Sequence, residues 1–280
     1  MNTQAACSIE GRIGFLGAGS IVEAMLSGIL KKGLLSSDRI YVTNRSNSER
    51  LDHLAGTYGV NTTHDKFEVI SASDILILAM KPKDSGEALK ELRGAVHEGQ
   101  LVISVIAGVS TTLIGEWLGV NCPIIRTMPN TSSAVGLSAT GIAANHSVTE
   151  EQLQLATHLF EAIGTVYSVA EEELDIVTGL SGSGPAYVYY LVEAMMGAGA
   201  TAGLDREMAR QLTLQTVLGA AHMLMDTRED PAILRKKVTS PGGTTQAGME
   251  VLESYRFQEA VTSAILRASE RSREMGAEYR

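Results

Sequence analysis

Two glycine-rich turns, far apart in the chain, carry the residue types that hold anions. The first is Gly14-Phe15-Leu16-Gly17-Ala18-Gly19-Ser20-Ile21-Val22, which ends a short apolar run and opens a helical pattern. The second is Val238-Thr239-Ser240-Pro241-Gly242-Gly243-Thr244-Thr245, after which Gln246 to Glu253 continue as a helix. Each turn leaves backbone N–H groups unpaired at a helix N-terminus, and glycine at the mouth lets an anion come close. Hydroxyls stand beside the amides of the second turn. Two such turns in one chain point to a phosphate-bearing cofactor and a separate small acid.

In the first turn Gly17 allows the tight bend and Gly19 lets a pyrophosphate reach the helix N-terminus. Val22 replaces the third glycine of the usual fingerprint, although Ala24 nearby is small. A strand before and a helix after make this a dinucleotide site. At the end of the second strand the chain reads Thr43-Asn44-Arg45-Ser46, with no acid to hold a ribose diol. Arg45 can pair with a 2′-phosphate while Asn44 and Ser46 hydrogen-bond it, which favours NADP; the alternative is a solvated loop arginine. Ala79-Met80-Lys81-Pro82 ends the most apolar strand. Pro82 fixes the exit, and Lys81 either lies along the cofactor or is a surface lysine. Ala107-Gly108 and Met128-Pro129-Asn130-Thr131 follow two further strands and belong to the same rim. The six histidines form no spaced cluster with acids, so none is given a catalytic role and no metal site is expected. His222, in an apolar helix, reads as a packed core residue.

These turns need a sheet to position them. Apolar runs at Ile13–Leu16, Ile40–Thr43, Asp74–Ala79, Leu101–Ile106, Ile124–Thr127 and Leu137–Ala143 read as strands, with a weak one beginning at Val60. Ile21, Val22, Met25, Leu26, Ile29 and Leu30 recur at helical spacing, and residues 48–58 read as a helix ending near Gly59. Ser110 or Thr111 caps the helix that carries Trp117, and Thr149 with Gln152 can form a capping box. The order is that of a Rossmann-like doubly wound α/β domain. After a short extended piece at Gly164–Val169, only helical periodicity remains. Stretches 185–203 and 205–225 are apolar on more than one face, as in helices buried in their own core or against another subunit. The boundary is placed at 168, giving a cofactor domain over 1–168 and an all-α dimerisation and substrate domain over 169–280.

At 280 residues the chain has room for two domains, and 44% hydrophobic with 20% charged residues is ordinary globular composition. A formal net charge of −9 disfavours nucleic acid and anionic membrane. Cys7 and Cys122 lack metal-ligand spacing and read as reduced thiols. The first ten residues have neither a basic start nor an apolar run, and no run is long enough for a membrane span, so a soluble cytoplasmic protein is expected.

A further block, Leu180-Ser181-Gly182-Ser183-Gly184-Pro185-Ala186-Tyr187, interrupts two helical stretches. Together with SPGGTT, the N-terminal IGFLGAGS and the AMKP turn, it closely resembles pyrroline-5-carboxylate reductase, from about residue 12 to residue 275. The resemblance implies an NADPH domain, with NADH a weaker alternative, and helices that interleave in a homodimer. Such dimers assemble up to a pentamer of dimers, with the active site between the cofactor of one chain and helices at the dimer interface. Motif by motif, it puts Gly17, Ala18, Gly19, Ser20 and Ile21 on the pyrophosphate and Asn44, Arg45 and Ser46 on the adenosine phosphate. Ala79, Met80, Lys81, Pro82, Ala107 and Asn130 fall near the ribose and nicotinamide. Ser240, Gly242, Gly243, Thr244 and Thr245 fall on the substrate carboxylate, with the Thr245 hydroxyl facing the ring nitrogen as the catalytic group. Glu171 falls near an acidic substrate contact. Asp65 stands near the adenosine where an asparagine is expected.

The implied reaction is reduction of Δ1-pyrroline-5-carboxylate to L-proline. A protonated cyclic imine is already an electrophile, so orientation supplies much of the rate and no histidine base is needed. Two rivals are weighed. A β-hydroxyacid dehydrogenase would need an interdomain lysine or histidine acid, which the helical half does not offer. A non-catalytic NADPH-binding module would be favoured by loss of the carboxylate loop, which is intact.

Overall fold

Ile13–Leu16 (β1) is buried at every position, the mark of a strand covered on both faces. In the computed structural model, which describes residues 9–279, it opens an alternation of strands and helices. Ser20–Lys31 (α1), Ile40–Thr43 (β2), Ser48–Tyr58 (α2), Asn61–Thr63 (β3), Lys66–Ser71 (α3) and Ile75–Leu78 (β4) form the first half. Pro82–Lys90 (α4), Leu101–Ser104 (β5), Thr111–Leu118 (α5) and Ile124–Met128 (β6) follow. Ser138–Ala144 (β7), Glu150–Glu161 (α6) and Gly164–Ser168 (β8) complete the sheet. Cys7 lies outside the described residues.

The strand order is β3-β2-β1-β4-β5-β6-β7-β8. It is parallel from β3 to β6, β7 runs antiparallel to β6, and β8 is parallel to β7. The order reverses between β1 and β4, and in open α/β sheets ligands bind outside the carboxyl ends of the strands at such a point. Leu16 pairs with both Thr43 and Leu78, so the ends of β1, β2 and β4 are level there.

Alternation along the strands builds two cores. Ile75 and Ile77 join Phe15, Met25, Leu54 and Phe160 on the face covered by α1, α2 and α6. Leu76 and Leu78 join Val69, Leu89, Ile114 and Trp117 on the face covered by α3, α4 and α5. Burying one such side chain fully stabilises the fold by about 1.5–3 kcal/mol. Helix ends follow local chemistry. Ser110 caps α5, Thr149 and Gln152 cap α6 reciprocally, and Gly59 and Gly119 close α2 and α5 in the left-handed conformation.

The chain divides into two compact units, residues 1–183 with 266–280, and Gly184–Ile265. This division falls later than residue 168 because the stretch after β8 packs on the first unit. Leu174, in Leu174–Val177 (α7), is 1% exposed. A Cβ on Gly141 of β7 would lie 2.9 Å from the Val177 side chain. The second unit holds Gly184–Thr201 (α8), Arg206–Thr227 (α9), Pro231–Lys237 (α10), Thr244–Ser254 (α11) and the start of Phe257–Glu278 (α12). The end of α12 belongs to the first unit, where the Ser272 hydroxyl donates to Asp175 at 2.6 Å.

The helices of the second unit are barely buried within one chain. No residue of α8 is buried, and in α9 only Ala209 and Thr213 are. His222 is therefore exposed in the single chain rather than a core residue, because α9 has no core of its own to enter. Among the described residues no helix is long and apolar enough to cross a membrane.

Candidate active site

The β1–α1 turn is shaped by two close approaches. Gly17 has φ 128°, and a Cβ there would stand 2.4 Å from the Ala79 carbonyl oxygen. Its amide donates to the Thr43 carbonyl at 3.0 Å, while the Ala79 amide donates to the Leu16 carbonyl at 3.0 Å. The turn is thus threaded between the ends of β2 and β4. Gly19 is the N-cap of α1 without a side-chain cap, and a Cβ on it would meet nothing within 4 Å. Space is open before the first amides of α1, Ser20 and Ile21, which is the cradle a pyrophosphate needs. Val22, where a third glycine was expected, is fully buried in the core, so α1 packs through a side chain.

After β2, Asn44 Oδ1 accepts the amides of Ser46 and Asn47 at 3.1 and 2.9 Å. That oxygen shapes the loop and leaves Arg45 exposed at its tip. His64 braces the loop from β3: Nδ1 lies 2.6 Å from the Asn44 carbonyl and Nε2 2.9 Å from the Ser48 hydroxyl. The carbonyl can only accept, so Nδ1 carries the proton. Asp65 is the N-cap of α3, accepting the Phe67 amide at 2.8 Å. Across the turn, Arg50 of α2 donates from Nε to the Ala18 carbonyl at 2.8 Å and from Nη2 to Glu23 at 2.6 Å. His53 meets the same carboxylate at 3.0 Å. Arg50 therefore holds the Glu23 carboxyl below the ordinary range, with His53 assisting. Sequence reading missed Arg50 and His64, whose partners are backbone carbonyls in other turns.

On the rim, exposed Lys81 is the N-cap of α4, with Pro82 starting the helix. Ala107 is half-buried beside Gly108, whose carbonyl oxygen would lie 2.4 Å from a Cβ on Gly276 of α12. Asn130 is a strut: Oδ1 accepts the Ser132 amide at 3.0 Å, and Nδ2 donates to the Ser181 carbonyl at 3.0 Å. The LSGSG block is thereby tied to the exit of β6.

Glu171, expected near the substrate, is engaged within the first unit. Oε1 accepts the Thr111 amide at 2.7 Å and Arg126 Nη1 at 3.0 Å, and Oε2 accepts the Thr111 hydroxyl at 2.8 Å. Burial pushes its carboxyl up, but the Thr111 amide, Arg126 and the Thr111 hydroxyl outweigh it, and the net shift is downward. Cys122 is buried in the core, which pushes its thiol up to about 11 and suits a reduced, unreactive cysteine.

In the second unit the SPGGTT turn is partly satisfied from within. The Gly243 amide donates to the Ser240 carbonyl at 3.0 Å, and the Gly242 amide to Gln246 Oε1 at 2.8 Å. Gly242 has φ 68°, a conformation that favours glycine. Helix α11 starts at Thr244 with Gly243 as an N-cap that offers no side-chain acceptor. The first helical bond runs from the Ala247 amide to the Gly243 carbonyl at 3.2 Å, so the amides of Thr244, Thr245 and Gln246 have no intrahelical acceptor. Both threonines are exposed. Among the described residues no cluster of His, Cys, Asp or Glu could hold a metal ion.

A doubly wound sheet with an open glycine turn at its switch point is the architecture of dinucleotide-binding domains. Residues 12–108 match a family model described as NADP oxidoreductase coenzyme F420-dependent, and residues 171–275 match one for pyrroline-5-carboxylate reductase dimerisation. The chain is similar to "Pyrroline-5-carboxylate reductase 2" of Bacillus subtilis, 46% identical over 268 residues covering 96% of each chain. It superimposes on a pyrroline-5-carboxylate reductase of Coxiella burnetii with a TM-score of 0.88 at 40% identity, covering 95% of this chain and 99% of that one. It also superimposes on the Plasmodium falciparum pyrroline carboxylate reductase with NADP bound, with a TM-score of 0.87 at 28% identity over 96% and 99% of the two chains. The chain belongs to the pyrroline-5-carboxylate reductase family.

Proposed function

We propose that this chain reduces Δ1-pyrroline-5-carboxylate to L-proline and takes the hydride from NADPH in preference to NADH. The observation that carries the cofactor preference is the β2–α2 loop. It presents exposed Arg45 at its tip and holds no carboxylate from Asn44 to Ser48. The NADP bound in the Plasmodium relative supports the same reading. Residues Gly17 to Ile21 bind the pyrophosphate through their amides, and Asn44, Arg45 and Ser46 receive the adenosine phosphate. The rim from Ala79 to Pro82, with Ala107 and Asn130, lines the ribose and nicotinamide end; Asn130 acts there by holding Ser181. Asp65 acts through the helix it caps.

Held by these residues, a reduced nicotinamide would supply the hydride for the imine carbon, the C=N π pair passing to nitrogen. The amides of Thr244 and Thr245 hold the substrate carboxylate, with Ser240, Gly242 and Gly243 shaping the turn. The Thr245 hydroxyl orients toward the ring nitrogen, which carries the proton that makes it an iminium. Glu171 serves as a clamp between α5 and β6. The chain works as a homodimer, extended to a pentamer of dimers, in the cytoplasm. The test is NADPH oxidation by the purified protein on adding pyrroline-5-carboxylate, with NADH run alongside. No substrate-dependent oxidation sinks the reaction; equal use of NADH sinks the preference and leaves the reaction.

A further inference from the structure

We infer that Arg50 is a positioning residue that locks the two halves of the cofactor site together and aims the amides of the glycine turn. This rests on the reading that residues 17–21 hold the pyrophosphate. Arg50 lies in the first turn of α2, where its amide donates to Asn47 Oδ1 at 2.9 Å, so its backbone is fixed to the loop that carries Arg45. Its side chain is 23% exposed and crosses to the other half of the site. There Nε donates to the Ala18 carbonyl at 2.8 Å, and Nη2 reaches Glu23 at 2.6 Å and the Gly19 carbonyl at 3.4 Å.

The consequence follows from peptide geometry. In a trans peptide the carbonyl and the next N–H point in opposite directions. Pinning the Ala18 oxygen toward α2 therefore aims the Gly19 amide away from it. The Gly19 oxygen is held chiefly by the Glu23 amide, which donates to it at 3.2 Å, and the weaker Arg50 contact adds to that in fixing the Ser20 amide. Ser20 opens α1, and a Cβ on Gly19 beside it would meet nothing within 4 Å, so the clamp acts at the edge of that open space. Gly17 and Gly19 make the turn intrinsically loose, so the clamp supplies an order that glycine cannot. Glu23 lies in the first turn of the same helix, where a carboxylate would repel a bound pyrophosphate. Arg50 pairs with it and leaves little net charge. Its contribution is orientation and masking, and neither distinguishes NADPH from NADH.

The test is fluorescence titration of NADPH and NADH on wild type, Arg50→Gln and Arg50→Lys, with kcat and the KM for pyrroline-5-carboxylate measured at saturating cofactor. Arg50→Gln is expected to raise the Kd of both cofactors by the same factor, about tenfold for one lost charge-assisted bond. Turnover at saturation and the substrate KM should stay within about twofold, because positioning acts on cofactor binding alone. Arg50→Lys keeps the charge but loses the planar fork and should recover only part of the affinity. A folded Arg50→Gln protein with unchanged affinities overturns the inference. So does a loss confined to NADPH, which would make Arg50 a reader of the 2′-phosphate. If Arg50→Gln does not fold, Arg50→Lys read against wild type must weaken both cofactors in equal ratio; unchanged binding overturns the inference. Wild-type protein that binds neither cofactor would instead sink the pyrophosphate reading.

Discussion

Glu171 and Arg126, separated by 45 positions in the chain, meet at 3.0 Å where the segment after β8 turns back over the sheet. The carboxylate also accepts the amide and hydroxyl of Thr111 at the start of α5. One acid thus joins a strand, a helix N-terminus and the approach to the second unit. The Arg126 side chain is only 11% exposed and that of Glu171 26%, so the pair is shielded from water more than a surface ion pair would be.

This clamp predicts acid-dependent stability. A carboxyl held below its ordinary range stabilises the folded chain above the unfolded pKa, about 4.3. That contribution fades as pH falls through the folded value. Glu171→Gln is expected to cost about 2–3 kcal/mol at neutral pH, where charge-assisted bonds are lost. The gap to wild type should narrow below about pH 4. Denaturant unfolding at one protomer concentration and two pH values checks this; an equal gap at both would remove the electrostatic explanation.

The uncovered faces of the second unit predict an obligate assembly. Tyr189, Tyr190, Leu212, Leu218 and Met225 are each exposed by 51% or more in the single chain. Interfaces between permanent partners resemble a divided core, and these side chains are of that kind. Sedimentation at low micromolar concentration should find no folded monomer. Charged substitutions at Leu212 and Leu218 should abolish activity together with assembly. A stable, active monomer would contradict the prediction.

Arg45 predicts cofactor choice. If its guanidinium pairs with the 2′-phosphate, Arg45→Ala should raise the KM for NADPH by roughly one to two decades, the equivalent of ~1.5–3 kcal/mol. The value for NADH should be almost unchanged. His64→Gln tests the brace behind the loop, and a smaller loss of the same selectivity is expected. Equal losses for both cofactors would show that the loop does not read the phosphate.

Much of this architecture is legible in the chain. Ile75-Leu76-Ile77-Leu78 announces a strand buried on both faces, and the Thr149–Gln152 box marks a helix start at its true place. The two glycine turns stand out because Gly, Pro and Thr are punctuation with a mechanism. Helices α3 and α4 are less legible, since 6 and 9 residues span too few turns to show a period. Arg50, His64 and the partners of Glu171 leave no trace. Their bonds go to backbone carbonyls, amides and side chains brought near by topology, and no local spacing encodes that. His222 misleads for the opposite reason: an apolar helix suggests a core that a single chain does not provide.

Thr245 carries the sharpest test of register. Gly242 and Gly243 have their amides engaged by Gln246 and Ser240, so the turn presents Thr244 and Thr245. Both amides are available to a carboxylate, but the proposal gives only the Thr245 hydroxyl a role at the ring nitrogen. Thr245→Val keeps the shape and the backbone amide and removes that hydroxyl. A hydrogen bond lost at the reacting nitrogen costs about 1–3 kcal/mol, so turnover should fall by roughly one to two decades. NADPH affinity should hold, because the cofactor's phosphates are assigned to the first unit. Thr244→Val, which retains its amide, should do less. If Thr244→Val is the damaging change and Thr245→Val is silent, the roles are exchanged and the register is off by one residue. If neither matters, the iminium reacts through positioning alone and needs no hydroxyl partner.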